Sequence, residues 1–191
     1  MGIARTKEIL VDVARKLFAA KGFGDTTMND IALASQKGRR TLYTYFKNKE
    51  EVYFAVIESE LLQLANRLKL VAQKSTDPQE RLIEYIYTRM DAIKEIVKRN
   101  GNLKADFFSN AVQVERVRRK LDFREKAILK GILTEGVEQK VFTVEDPGFA
   151  ASMIHYSLKG LEVPYIRGEL ENQMLEKKNS IISFVFYGLK K

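Results

Sequence analysis

Residues 26–49 constrain the fold of this chain more than any other stretch. Thr-Thr-Met-Asn-Asp-Ile-Ala-Leu-Ala-Ser-Gln-Lys-Gly-Arg-Arg-Thr-Leu-Tyr-Thr-Tyr-Phe-Lys-Asn-Lys reads as two short helices joined by a tight turn. Thr26 or Thr27 is suited to cap the first of them, and Asp30, three residues after Thr27, completes a capping-box pattern. That helix is expected to bury Met28, Ile31, Ala32 and Ala34. After a turn at Ser35-Gln36-Lys37, a second helix is expected over 38–46. It offers Arg39, Arg40, Thr41, Thr44 and Tyr45 outward, while Leu42 and Phe46 point back at i, i+4. Lys37, Arg39, Arg40, Lys47 and Lys49 place five positive charges here, and no acid falls between Lys37 and Lys49. A compact helix pair with a basic, hydrogen-bonding outer face suits duplex DNA as a partner.

The flanking sequence is helical as well. Ile9, Leu10, Val13, Ala14, Leu17 and Phe18 make one apolar stripe, predicting a helix from about Thr6 to Ala20 that ends at Gly22 in a left-handed cap. Arg5 and Lys7 before it are either an arm along the duplex or a frayed terminus. Asn48 is a fair cap for a helix from Lys49 into the low seventies. Asp77-Pro78 opens another, with Leu82, Ile86, Met90, Ile93 and Val97 as its core stripe and Asn100-Gly101 as its stop. A short apolar segment at 103–112, a charged helix over 114–139, and a helix from Pro147 to about Gly160 follow; Pro164 is expected to kink or end the last of these. A final helix is predicted over 170–189. Only three prolines occur in 191 residues and strand-like alternation is scarce, so the expected fold class is all-α.

The formal charge of +8 is uneven. Residues 1–50 hold ten Lys/Arg against five Asp/Glu, and residues 51–191 hold twenty-three against twenty. Such a field attracts polyanions without choosing a sequence. Cysteine is absent and histidine occurs once, at 155. With no clustered metal ligands and no glycine-rich phosphate loop, few parts remain for chemistry, so neither an enzyme, a metal nor a cofactor is expected. No secretory segment and no run of about 18 uncharged apolar residues is seen, which fits a cytoplasmic protein with no membrane partner.

Gly22-Phe23-Gly24-Asp25-Thr26-Thr27-Met28, then Ile31-Ala32, then Thr41-Leu42-Tyr43-Thr44-Tyr45-Phe46, then Asn48-Lys49-Glu50-Glu51-Val52 resemble, in order and spacing, the TetR family of bacterial repressors. The resemblance covers about sixty residues. It implies an N-terminal helix-turn-helix DNA-binding domain at 1–48 and a larger helical ligand-binding and dimerisation domain at 49–191, with the helix from Lys49 spanning both. One departure stands at the turn: the family commonly has Gly-Val-Ser where this chain has Gln36-Lys37-Gly38. The missing glycine asks Gln36 to adopt an unusual backbone conformation, or Gly38 to supply the freedom instead. Lys37 can bury its stem while its ammonium reaches a phosphate.

Arg39 and Arg40, at the start of the reading helix, suit guanine edges or phosphates, with Thr41, Thr44 and Tyr45 as helpers and Thr27 donating to phosphate as it caps. Tyr43 and Lys49 resemble the family's phosphate-binding tyrosine and lysine, the latter beside a helix N-terminus. The resemblance also implies a cavity for a small-molecule effector of unknown identity, for which Tyr85, Tyr87, Met90, Phe107, Phe108, Met153 and Tyr156 are candidates. His155 is expected to be a buried, hydrogen-bonded residue. Phe149, Met153, Ile181, Phe184, Val185 and Leu189 give the C-terminal helices more apolar surface than a monomer needs, and the family pairs such helices into a homodimer. The expectation is a ligand-responsive, homodimeric repressor that binds a palindromic double-stranded DNA operator through the helix at 38–46. The alternative is a sequence-independent architectural DNA binder or a protein of anionic membrane surfaces.

Overall fold

The computed structural model describes residues 2–99, 111–170 and 176. Among them are seven helices and no strand: α1 (Gly2–Lys21), α2 (Met28–Ala34), α3 (Arg39–Tyr45), α4 (Lys49–Ala72), α5 (Pro78–Arg99), α6 (Ala111–Glu138) and α7 (Pro147–Ile166). The segment at 103–110, and the final helix expected over 170–189, fall outside the described residues apart from Leu170 and Glu176. The chain forms two compact units. The first comprises residues 1–62 and 96–119, the second residues 63–95 and 120–191. α4, α5 and α6 therefore each contribute to both units.

In the first unit α1 packs on α2 and α2 on α3. Leu10, Val11, Ala14 and Phe18 of α1, Ile31 and Ala32 of α2, Leu42 and Phe46 at α3, and Val52, Tyr53 and Val56 of α4 are all buried. Each such side chain contributes roughly 1.5–3 kcal/mol by leaving water. The stripe on α1 is turned slightly from its predicted phase: Val11 is buried while Ile9 is 36% exposed. Ala34 is exposed, contrary to expectation, because α2 ends there and its last turn faces outward. Phe18, Phe23 and Tyr53 form a ring cluster with centroids 5.1–6.1 Å apart. Glu60, nearly fully buried, lies between Arg99 and, at 3.8 Å, Arg15. Two arginines offset the cost of taking that carboxylate out of water.

The second unit is built around α5, α6 and α7. Leu82, Met90 and Ile93 of α5, Leu129 and Leu133 of α6, and Ala151, Leu158 and Tyr165 of α7 have almost no exposed surface. Asp146 caps α7 by accepting from the amides of Gly148 (2.8 Å) and Phe149 (3.0 Å). That helix runs through Pro164 to Ile166 rather than stopping near Gly160. It ends in a Schellman motif with Gly168 at a φ of +80°: the amide of Gly168 donates to Tyr165 O and that of Glu169 to Pro164 O. α6 closes the same way on Lys140, at a φ of +60°. At Gly136 a β-carbon would stand 2.2 Å from the Phe142 ring, so only glycine lets that ring lie against the helix.

Candidate nucleic-acid interface

Two local devices hold the reading helix. At the start of α2, Thr27 Oγ1 accepts from the Asp30 amide at 3.1 Å, and Asp30 Oδ2 accepts from the Thr27 amide and hydroxyl, each at 2.9 Å. These bonds hold the Asp30 carboxyl below its usual pKa range. The cap is Thr27 alone. Thr26 is instead fully buried and donates to Gly22 O at 2.7 Å, locking the turn in which Gly22 has a φ of +86°.

At the far end of α2 the turn is a third Schellman motif. The Gln36 amide donates to Leu33 O and the Lys37 amide to Ala32 O, with Gln36 in the left-handed region at a φ of +54°. The unusual conformation therefore falls on Gln36. Gly38 supplies no special freedom: it has an ordinary φ of −63° and caps α3 with no side chain to accept the free amides.

Arg39 and Arg40 open α3, both exposed and with no ion-pair or hydrogen-bond partner for either guanidinium among the described residues. Tyr43 is 46% exposed. Thr41, Tyr45 and Lys37 are half-buried. Thr44 is exposed, and its hydroxyl donates to Arg40 O at 2.9 Å, which leaves the oxygen lone pairs free to accept. Leu42 and Phe46 are core, as the i, i+4 spacing predicts. Arg5 and Lys7 form no extended arm; both are exposed within α1, and the Lys7 ammonium lies 5.8 Å from the Phe46 ring centroid.

Asn48 caps α4 by accepting from the Glu51 amide at 2.8 Å, and Glu51 accepts from the Lys47 amide at 2.7 Å. Lys49 then reaches back across the unit. Its ammonium donates to Phe23 O (2.6 Å) and Gly24 O (3.0 Å) and sits 4.5 Å from the Phe23 ring centroid. Sequence reasoning missed this seat. Two backbone carbonyls leave no mark in residue types, and Phe23 reads simply as a loop aromatic.

In the second unit, Tyr85 and Met90 have no exposed surface, and Tyr87 is half-buried. Met153 (52%) and Tyr156 (56%) belong with Phe149 (65%) to an outward stripe along α7. Phe107, Phe108, Ile181, Phe184, Val185 and Leu189 lie outside the described residues.

His155 is buried as expected, and it is part of a larger polar cluster. Its Nδ1 is 3.1 Å from Glu125 Oε2, and its Nε2 stands 3.3 Å from Asp122 Oδ1, an ion-pair distance without hydrogen-bond alignment. Arg89 donates from Nε to Glu125 Oε2 (2.7 Å) and from Nη2 to Glu162 Oε1 (2.6 Å), and Lys159 donates to Asp122 at 2.8 Å. Burial works against the charged form of His155, but its two carboxylate neighbours outweigh burial and raise its pKa. Burial likewise opposes ionisation of Asp122, yet His155 and Lys159 hold that carboxyl down at about 2.

Residues 10–56 match the family model described as bacterial regulatory proteins, tetR family. An uncharacterised HTH-type transcriptional regulator, YhgD, of Bacillus subtilis is 26% identical over 149 residues, 76% of each chain. A TetR/AcrR-family transcriptional regulator from Thermobifida fusca superposes with a TM-score of 0.67 at 27% identity, covering 86% of this chain and 85% of its own. The transcriptional regulator FadR from Bacillus subtilis, solved with stearoyl-CoA, gives a TM-score of 0.69 at 19% identity over 95% of this chain and 98% of its own. With the motif, the helix order and the relatives in agreement, this chain belongs to the TetR family of bacterial transcriptional regulators.

Proposed function

We propose that the protein is a ligand-responsive transcriptional repressor that acts as a homodimer, each copy laying α3 in a major groove of a near-palindromic operator. One observation carries this reading: Arg39 and Arg40 stand exposed and unpaired at the head of a helix fixed at both sides by cap and turn. A guanidinium with no partner of its own is free to bond bidentately to guanine O6 and N7. Tyr43, the Lys49 ammonium and the half-buried Lys37 flank it with phosphate-binding groups, and the Thr27, Thr41, Thr44 and Tyr45 side chains complete the surface. The outward stripe of Phe149, Met153 and Tyr156 supports the homodimer, since so much exposed apolar area on one helix favours a partner.

The effector arm of the proposal rests on the family and on the buried polar cluster of the second unit. A ligand shifts the equilibrium only if it prefers the state that cannot match the operator. α4 is the natural lever, because its first part belongs to the unit carrying α3 and its last part to the other. We assign DNA binding to 1–48 and ligand binding and dimerisation to 49–191, a boundary set at the start of α4, whereas the compact units divide within α4, α5 and α6. Nothing favours the sequence-independent alternative, and no helix among the described residues is long and apolar enough to cross a membrane.

The test is to select bound fragments from the host chromosome and then compare Arg39→Ala with Lys49→Ala at two salt concentrations. Arg39→Ala is expected to lose about 1–3 kcal/mol of preference for the selected site over a scrambled duplex. Lys49→Ala is expected to weaken both duplexes alike and flatten the salt dependence. Equal behaviour of the two variants refutes the assigned roles.

A further inference from the structure

Five buried polar atoms of the second unit find no hydrogen-bond partner among the described residues. Arg81 Nε belongs to a guanidinium paired with Glu135, and His155 Nε2 has Asp122 at ion-pair distance, which leaves the Tyr85 hydroxyl, Arg89 Nη1 and Glu125 Oε1. Their residues are between 0 and 2% exposed. A buried polar group left unsatisfied costs roughly 1–3 kcal/mol, so three in one cluster are an unusual burden on a folded domain. They are also close neighbours. Tyr85 and Arg89 are four apart on α5, one turn above the other, and Arg89 holds Glu125 through its Nε at 2.7 Å. The rest of the cluster is closed by the bonds from Arg89 to Glu162 and from Lys159 to Asp122.

The three atoms differ in kind. Arg89 Nη1 only donates, Glu125 Oε1 only accepts, and the tyrosine hydroxyl does either. The charges around them balance when His155 carries its proton, the form its two carboxylate neighbours favour: Arg89, Lys159 and His155 then face Asp122, Glu125 and Glu162. An added anion or cation would break that balance inside a low-dielectric interior, where an uncompensated charge is most costly. A single neutral hydroxyl answers all of these conditions, because it donates to Glu125 Oε1 while its two lone pairs accept from Arg89 Nη1 and the Tyr85 hydroxyl. Leu82, Leu121, Leu129 and Leu158 stand three or four residues from Tyr85, Glu125 and Glu162 on the same helix faces and are buried. The surroundings of that hydroxyl are therefore apolar and suit an apolar body behind it.

We infer that the second unit recognises an uncharged, apolar molecule through one hydroxyl group, an alcohol or phenol, held between Arg89, Glu125 and Tyr85. This rests on the proposed ligand-responsive function and specifies its effector by chemistry.

The test uses the full chain and four matched probes: 4-propylphenol, propylbenzene, 4-propylbenzoate and (4-propylphenyl)trimethylammonium, titrated calorimetrically. The phenol is expected to bind about tenfold tighter than propylbenzene and tighter than either ion, as one well-made buried hydrogen bond provides. Tyr85→Phe, which keeps the ring, is expected to weaken phenol binding several-fold and leave propylbenzene unchanged. Equal affinity for phenol and hydrocarbon means that water alone serves the three atoms, and overturns the inference. Preference for either ion, or no binding of any probe, overturns it as well. The ligand preferences of the unmutated chain decide the matter even if Tyr85→Phe fails to fold. Operator binding by the same samples without probe separates the two readings: its absence sinks the regulator, whereas intact operator binding with no phenol preference sinks only this inference.

Discussion

Gln36 holds the turn between α2 and α3 at a φ of +54°, where a β-carbon crowds the following carbonyl. Glycine meets no such crowding, and the Gln36 side chain is exposed with nothing to lose. Gln36→Gly is therefore expected to stabilise the protein by about 1 kcal/mol, less whatever the freer unfolded chain takes back. A denaturant midpoint that stays put or falls would show the turn to be unstrained. At Gly136 the sign reverses. Gly136→Ala drives a methyl group into the Phe142 ring and is expected to cost about 1–3 kcal/mol by the same measurement. The two sites differ in legibility for a physical reason. The departure at Gln36 shows in the sequence because a turn motif fixes which position needs the left-handed conformation. Gly136 reads as an ordinary mid-helix glycine, since its neighbour Phe142 arrives only when the chain folds back.

Between elements, the buried charges joining α5, α6 and α7 make stability depend on pH. His155 faces Asp122 and Glu125 of α6, which is itself bound to Arg89 of α5; on its own helix lie Lys159, paired with Asp122, and Glu162, paired with Arg89. Its pKa is raised above the ordinary 6.5, so its contribution is complete below 6.5 and fades as pH rises through the folded value. Asp122, lowered from 3.8 to about 2, contributes fully above 3.8 and loses that contribution as pH falls toward 2. Thermal stability is expected to be highest between about pH 4 and 6.5 and to decline above it. His155→Gln should abolish the alkaline decline, and a decline that persists in the variant would place its origin elsewhere. The helices themselves were largely legible: apolar stripes, Thr27, Asn48, Asp77 and Asp146 all mark ends that the structure bears out. The exception is α7, where Pro164 interrupts without ending the helix because only its own missing amide bond is lost so near the terminus. The polar cluster was not legible as a unit. Arg89 sits inside the stripe of Ile86, Met90 and Ile93, a hint of burial, but its partners lie 36 and 73 residues away.

For the molecule as a whole, the proposed dimer and the basic N-terminal quarter work together. A half-site read by a single α3 offers few contacts, and pairing two such heads multiplies effective concentration without any new bond. Phe149→Glu combined with Met153→Glu places two charges on the outward stripe of α7. The variant is expected to sediment as a monomer, keep its helical content, and bind the selected operator at least about a hundredfold more weakly. A variant that still sediments as a dimer would move the interface off this stripe.

The seat of Lys49 has a consequence of its own. An ammonium carries three protons, and the carbonyls of Phe23 and Gly24 take two of them. The third is left for a nucleic-acid backbone, so docking has no need to break the tether; it adds a further acceptor to a cation already moored. Grip on the duplex then tightens the α1–α2 corner instead of loosening it, and the amides around Thr26 should exchange their hydrogens more slowly in the complex than in the free protein.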